Sequence, residues 1–137
     1  MYVIIAGCNR VGASLVKKLS EEGYDVAIID RNESNFSKLG NGSNCKTVTG
    51  IPIDEDVLKE AGIEGANAMA AVTNDDNTNI MVSQIAYKLY HIPMVITQIN
   101  DPEKQKVLAD TGIKIVCPTA LTMNAFFDEL NGGKLEV

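Results

Sequence analysis

Residues 3–19 read VIIAGCNRVGASLVKKL. Residues 3–6 are apolar at every position, as in a parallel strand covered on both faces. Residues 7–12, Gly7-Cys8-Asn9-Arg10-Val11-Gly12, carry glycines at both ends. Over 10–22, Val11, Leu15, Val16 and Leu19 recur at helical spacing, and Lys17, Lys18, Glu21 and Glu22 face outward. A strand, a glycine turn and an amphipathic helix in this order open a β-α-β unit. The free N–H groups at the helix start then form a place for an anion.

Gly7, Asn9 and Gly12 occupy the glycine positions of the G-x-G-x-x-G dinucleotide turn, with the middle glycine replaced. Gly7 permits the tight turn, Gly12 lets the helix sit close to the strand, and position 9 is where backbone approaches a pyrophosphate. Asparagine tolerates a left-handed backbone and its amide can donate to a phosphate. Asn9 is therefore expected to be accommodated. Asp30 ends the second strand, 18 positions beyond Gly12. A carboxylate there accepts hydrogen bonds from adenosine ribose hydroxyls. A free 2′-hydroxyl suits Asp30, while the neighbouring Arg31 offsets part of its repulsion toward a 2′-phosphate. NAD(H) or a simple adenine nucleotide is favoured over NADP.

The remaining strand-length runs are DVAII (25–29), KTV (46–48), AMAAV (68–72), MVITQI (94–99) and KIV (114–116). Further helical segments span 54–61, 76–90, 101–112 and 118–130. Asp54 and Asp101-Pro102 act as start signals, and Gly23, Gly62 and Gly112 as stops. This alternation predicts an α/β fold: a Rossmann-like, doubly wound parallel six-stranded sheet in the order 3-2-1-4-5-6 with helices on both faces. The chain reads as one domain over 1–130, with a frayed tail at 131–137. Thr73-Asn74-Asp75-Asp76-Asn77-Thr78-Asn79 follows the fourth strand, beside the crevice where strand order reverses. The loop is expected to touch the nucleotide through Thr73, Asn74 and Asn79, with Asp75 or Asp76 capping the next helix.

The chain has 137 residues, 45% of them apolar, and a net charge of −6. The acidic balance argues against nucleic acid as a partner. No apolar run reaches the roughly 18–20 residues of a membrane span, and no signal peptide is read, which points to the cytoplasm. Cys8, Cys45 and Cys117 are widely spaced and His91 is the single histidine, so no metal site is read. Cys8 precedes a helix N-terminus, where a thiol can be acidified. On the last segment, Met123, Phe126, Phe127 and Leu130 form a stripe. It packs either on its own sheet or on a partner subunit.

YVIIAGCNRVGASLVKKLSEEGYDVAIIDRN (2–32), LKEAGIEGANAMAAVTNDDNTNIMVSQIA (58–86), INDPEKQKVLADTGI (99–113) and VCPTALTMNAF (116–126) carry a family resemblance. Together they resemble the TrkA-N-type RCK or KTN N-terminal domain of potassium uptake and potassium channel regulators. The resemblance implies a cytoplasmic regulatory domain that binds NAD(H) or ATP/ADP, forms a homodimer or a higher ring, and couples ligand state to a membrane potassium channel or transporter. Gly7, Cys8, Asn9, Arg10 and Val11 would hold phosphates, with Arg10 as the phosphate-facing cation. Asp30 would hold the ribose, Thr73 and Asn74 would lie along the nucleotide, and Gln98 would stand at the end of the fifth strand. Three positions depart from the family pattern. Asn9 replaces a glycine, Ile51 stands for the usual aspartate after Gly50, and Gln98 stands for a frequent arginine. The family's C-terminal ligand domain is not read in this chain.

No catalytic constellation is legible, so a non-enzymatic sensor is expected. The alternatives are the nucleotide domain of an NAD-dependent oxidoreductase, and a dimerisation scaffold that has lost its ligand.

Overall fold

The computed structural model describes residues 1–40 and 44–135, the last three by backbone alone. Six strands, β1 Tyr2–Ala6, β2 Asp25–Asp30, β3 Cys45–Thr49, β4 Ala68–Ala71, β5 Met94–Gln98 and β6 Lys114–Val116, form one sheet. Their order is 3-2-1-4-5-6 and every pairing is parallel, as expected from the alternation of elements. The helices are α1 Arg10–Glu21, α2 Glu55–Glu60, α3 Asp76–Gln84, α4 Pro102–Gln105 and α5 Pro118–Leu135.

Alternate residues of a strand face opposite sides of the sheet, and in β1 and β2 both sides are core. Ile4, Ala6, Ala27 and Ile29 pack with Leu58, Ile63, Val82 and Leu108 on one face. Val3, Ile5, Val26 and Ile28 pack on the other face with Val16 of α1 and with Phe36 and Leu39. Ile4, Ile5, Ile28 and Ile29 are fully buried, each contributing roughly 1.5–3 kcal/mol. That two-sided burial is why these strands read as unbroken apolar runs.

Three connections differ from the sequence expectation. The link from β2 to β3 holds a 3-10 turn over Glu33–Leu39, opened by the Asn32 side chain accepting from Ser34 N. No apolar period announces it. The segment 76–90 stays α-helical only to Gln84 and widens into a π turn over Ile85–Leu89. The segment 101–112 is a single α turn, Pro102–Gln105, followed by a 3-10 turn at Lys106–Leu108.

The last helix, α5, extends to Leu135 and so takes in residues 131–135, which the sequence assigned to a tail; residues 136–137 lie outside the described residues. Its stripe does not pack on its own sheet. Leu121, Met123, Phe126, Phe127 and Leu130 are all at least 56% exposed. Val95 and Ile115 point to the α3 side of the sheet. Met94 and Val116 therefore point to the other side, where both remain exposed. No helix among the described residues is long and apolar enough to cross a membrane.

Candidate functional site

The C-terminal ends of β1, β2 and β4 converge where the strand order reverses, the place where open α/β sheets bind ligands. There the backbone turns sharply at Gly7, with φ of 113°. A Cβ on Gly7 would stand 2.9 Å from Thr73 N, so the β1 turn and the β4 loop meet without room for a side chain. Gly12 is tighter still, since a Cβ there would lie 1.9 Å from the Gly7 carbonyl oxygen. Both glycines of the turn are thus required by contact.

Asn9 is not left-handed. Its φ of −99° and ψ of −165° are extended, and it is the N-cap of α1. Its Oδ1 accepts from Gly12 N at 3.0 Å, and its Nδ2 donates to Val72 O at 2.6 Å. A weaker contact reaches Asn74 Oδ1 at 3.4 Å. The amide expected to be available for a phosphate is therefore committed to cap α1 and tie β1 to β4.

Asp30 is equally engaged. Its Oδ2 accepts from Cys8 N at 2.8 Å, and its Oδ1 accepts from Asn32 N at 2.8 Å and Asn35 Nδ2 at 3.0 Å. A carboxylate offers about four acceptor positions, so one direction is left for a hydroxyl. Lys38 Nζ donates to Asn35 Oδ1 at 2.8 Å, extending the chain of contacts.

These residues wall a cleft of about 630 Å³. Of the residues singled out in the sequence, Gly7, Cys8, Asn9, Arg10, Asp30, Arg31, Ile51, Thr73 and Asn74 line it. Val11, Gly12, Asn79 and Gln98 do not. Val11 is half exposed on the outer side of α1, and Gly12 is buried under the turn. Asn79 is fully buried and acts as a bracket. Its Oδ1 accepts from Thr73 N at 3.0 Å, and its Nδ2 donates to Thr73 O at 3.0 Å and Gln98 O at 2.9 Å. Gln98 thus enters through its backbone. Sequence reasoning missed Asn32, Asn35, Lys38 and Pro52 on the wall. The only sequence signal for the first three was the polar run after Asp30.

The cleft carries Arg10, Arg31 and Lys38 against Asp30 and Asp75, an excess of cations on a chain of net charge −6. Neither arginine has a hydrogen bond or ion pair with another described residue. Asp75, not Asp76, caps α3, through Thr78 N at 3.0 Å and Thr78 Oγ1 at 2.6 Å. The bond from the Thr78 hydroxyl holds its carboxyl below the ordinary carboxylate range. Asp76 is buried and accepts from Asn100 N and Asp101 N, both at 2.9 Å.

Cys8 corrects a sequence expectation. It lies at the α1 start but is 1% exposed, and its Sγ reaches Asn35 O at 3.3 Å. Burial pushes its thiol pKa up, with nearby Asp30 adding to the effect, so it is not acidified. Cys45 is likewise pushed up to about 11 by burial. Brief iodoacetamide treatment of native protein at about pH 8, read by mass spectrometry, is expected to label Cys117 and leave Cys8 unmodified, since the thiolate is the reacting form. Among the described residues no group of three or more His, Cys, Asp or Glu is placed to hold a metal ion.

Residues 3–118 match the TrkA-N domain model. The chain belongs to the TrkA-N domain family. It is 39% identical over 130 residues to the Trk system potassium uptake protein TrkA of Streptomyces coelicolor, covering 95% of this chain and 56% of that one. It is 36% identical over 110 residues to the TrkA homolog of Pyrococcus horikoshii, covering 80% and 48%. This TrkA-N chain thus spans about half the length of these curated relatives. Among solved structures it resembles the TrkA-N domain of inner membrane protein ybaL from Escherichia coli, with TM-score 0.84 and 15% identity over 94% of this chain and 96% of that one. It also resembles GsuK bound to ADP, with TM-score 0.80 and 24% identity over 96% and 34%. The GsuK channel bound to NAD matches with TM-score 0.70 and 20% identity over 84% and 21%. At these identities the structural likeness speaks for the fold, and the site of this TrkA-N domain stands on its own geometry.

Proposed function

We propose that this TrkA-N domain is a cytoplasmic, non-enzymatic sensor that binds an adenine-containing nucleotide, NAD(H) or ATP/ADP, and regulates a membrane potassium channel or transporter. The observation that carries the reading is the cleft at the β1–β4 switch point, with Asp30 at one side and two unpaired arginines at its mouth. The residues fit such a ligand: Asp30 keeps one acceptor direction for a ribose hydroxyl, and Arg10 stands at the α1 start beside the place for phosphates. The names of the TrkA relatives supply the potassium side, and the GsuK structures with ADP and NAD show that related folds take both ligand classes. A ligand acts as a signal here only if it binds two arrangements of the assembly unequally.

Calorimetric titration with AMP, ADP, ATP, NAD and NADH tests the binding. One of them is expected to bind in the micromolar range, and at 100 times its dissociation constant to stabilise the fold by about 2.7 kcal/mol. Arg10→Ala removes a charge-assisted contact to phosphate and is expected to weaken that binding about tenfold. No binding of any nucleotide at millimolar concentration would leave a dimerisation scaffold as the reading.

The assembly is a homodimer built on α5. Its exposed stripe of two phenylalanines, a methionine and two leucines has the composition of an interface core. The open sheet face at Met94 and Val116 offers a second apolar patch. Sedimentation velocity is expected to show dimer for the wild type and monomer for the F126E/F127E double variant. Both side chains are exposed, so folding should change by only about 0.5 kcal/mol. A wild type that stays monomeric across micromolar concentrations would refute the dimer.

A further inference from the structure

We infer that the cleft takes an adenine mononucleotide and discriminates against the nicotinamide half of a dinucleotide. The inference rests on the proposed nucleotide-binding function and narrows its ligand. A dinucleotide on a doubly wound sheet crosses the switch point, with its second nucleoside over the ends of the strands on the far side. In this chain that crossing is closed in two places.

The first is Asn9. Its amide spans from β1 to β4, donating to Val72 O at 2.6 Å while its oxygen caps α1 through Gly12 N. It stands at the position where glycine lets backbone approach a pyrophosphate. A side chain fixed at both ends does not swing aside without leaving a helix N–H and a strand carbonyl unpaired.

The second is the far side itself. The ends of β4 and β5 are tied by Asn79, fully buried, which bonds both Thr73 O and Gln98 O. Just beyond, the buried Asp76 carboxylate holds Asn100 N and Asp101 N. These side chains fill the space between the β4 and β5 ends. The cleft accordingly takes its walls from residues 7–78 and none from β5 or β6. Its cations, Arg10, Arg31 and Lys38, all lie on the β1–β2 side, where an adenosine and its phosphates fit together.

Calorimetry of the full chain with AMP, ADP, ATP, NAD and NADH, joined to saturation-transfer NMR with NAD as the probe, tests this. At least one mononucleotide is expected to bind ten times more tightly than NAD and NADH. Adenine protons of NAD should receive saturation while nicotinamide protons receive little. Asn9→Gly, which keeps most of the cap energy because glycine is tolerated at that position, is expected to narrow the preference at least threefold. NAD or NADH binding as tightly as the best mononucleotide, or equal saturation of both rings, would overturn the inference and leave the nucleotide-sensor reading standing. An unchanged preference in Asn9→Gly would overturn the role given to Asn9. Absence of all binding would overturn the sensor reading itself, and this inference with it.

Discussion

Gly12→Ala is expected to lower stability by about 3 kcal/mol or more, with a fall in melting temperature of roughly 10 °C. The new Cβ would lie 1.9 Å from the Gly7 carbonyl oxygen, and neither atom belongs to a flexible side chain. Relief requires α1 to lift from the β1 turn. That movement pulls Val16, fully buried, out of its packing with Val3, Ile5 and Ile28. It also breaks the Asn9 cap, because Gly12 N is the donor to Asn9 Oδ1. Gly23→Ala is the control. Gly23 has φ of 86° but nothing within 4 Å of a Cβ, so only backbone strain of about 1 kcal/mol is expected. Chemical denaturation of both variants separates crowding from conformation. Equal losses in the two would show that the contact at Gly12 is relieved cheaply.

Asn79→Ala is expected to cost about 3 kcal/mol and to loosen the loop that follows β4. Asn79 satisfies Thr73 N, Thr73 O and Gln98 O from a fully buried position. Truncation strands these backbone groups, each at about 1–3 kcal/mol where water does not reach. Asn79→Asp keeps the acceptor for Thr73 N but loses both donated bonds and buries a charge, so it should be no better than alanine. Hydrogen exchange at Thr73 is the local readout, and protection there is expected to fall in both variants. Wild-type protection at Thr73 in Asn79→Ala would show that the loop is held by other contacts. Because Thr73 and Asn74 line the cleft, nucleotide binding should weaken alongside.

The two residues show what was legible beforehand. Gly12 was singled out because a six-residue pattern carries its role: a helix that starts five residues after a strand turn must come close to it. Asp30 was legible for the same reason, since strand length fixes where the second strand ends. Asn79 was singled out too, but as a ligand contact, and its neighbours give no reason to expect a buried bracket between two strands. Its partners Thr73 and Gln98 are 6 and 19 residues away. Asn9 shows the same limit. Its identity suggested a left-handed residue with a spare amide. The Val72 carbonyl, 63 residues on, recruits that amide instead. The 3-10 turn at Glu33–Leu39 escaped because it has no apolar period, yet it brings Asn35 and Lys38 to the cleft.

Strand count, strand order, the glycine turn and the cleft's position all follow from periodicity and from the handedness of parallel crossovers, which act over stretches of ten to thirty residues and leave a local trace. The Asn9 tie, the Asn79 bracket, the burial of Cys8 and the exposure of α5 leave none. Each is set by which distant group happens to stand within about 3 Å of a side chain, or by whether a sheet face lies beneath it, and those neighbours exist only after the chain has closed on itself.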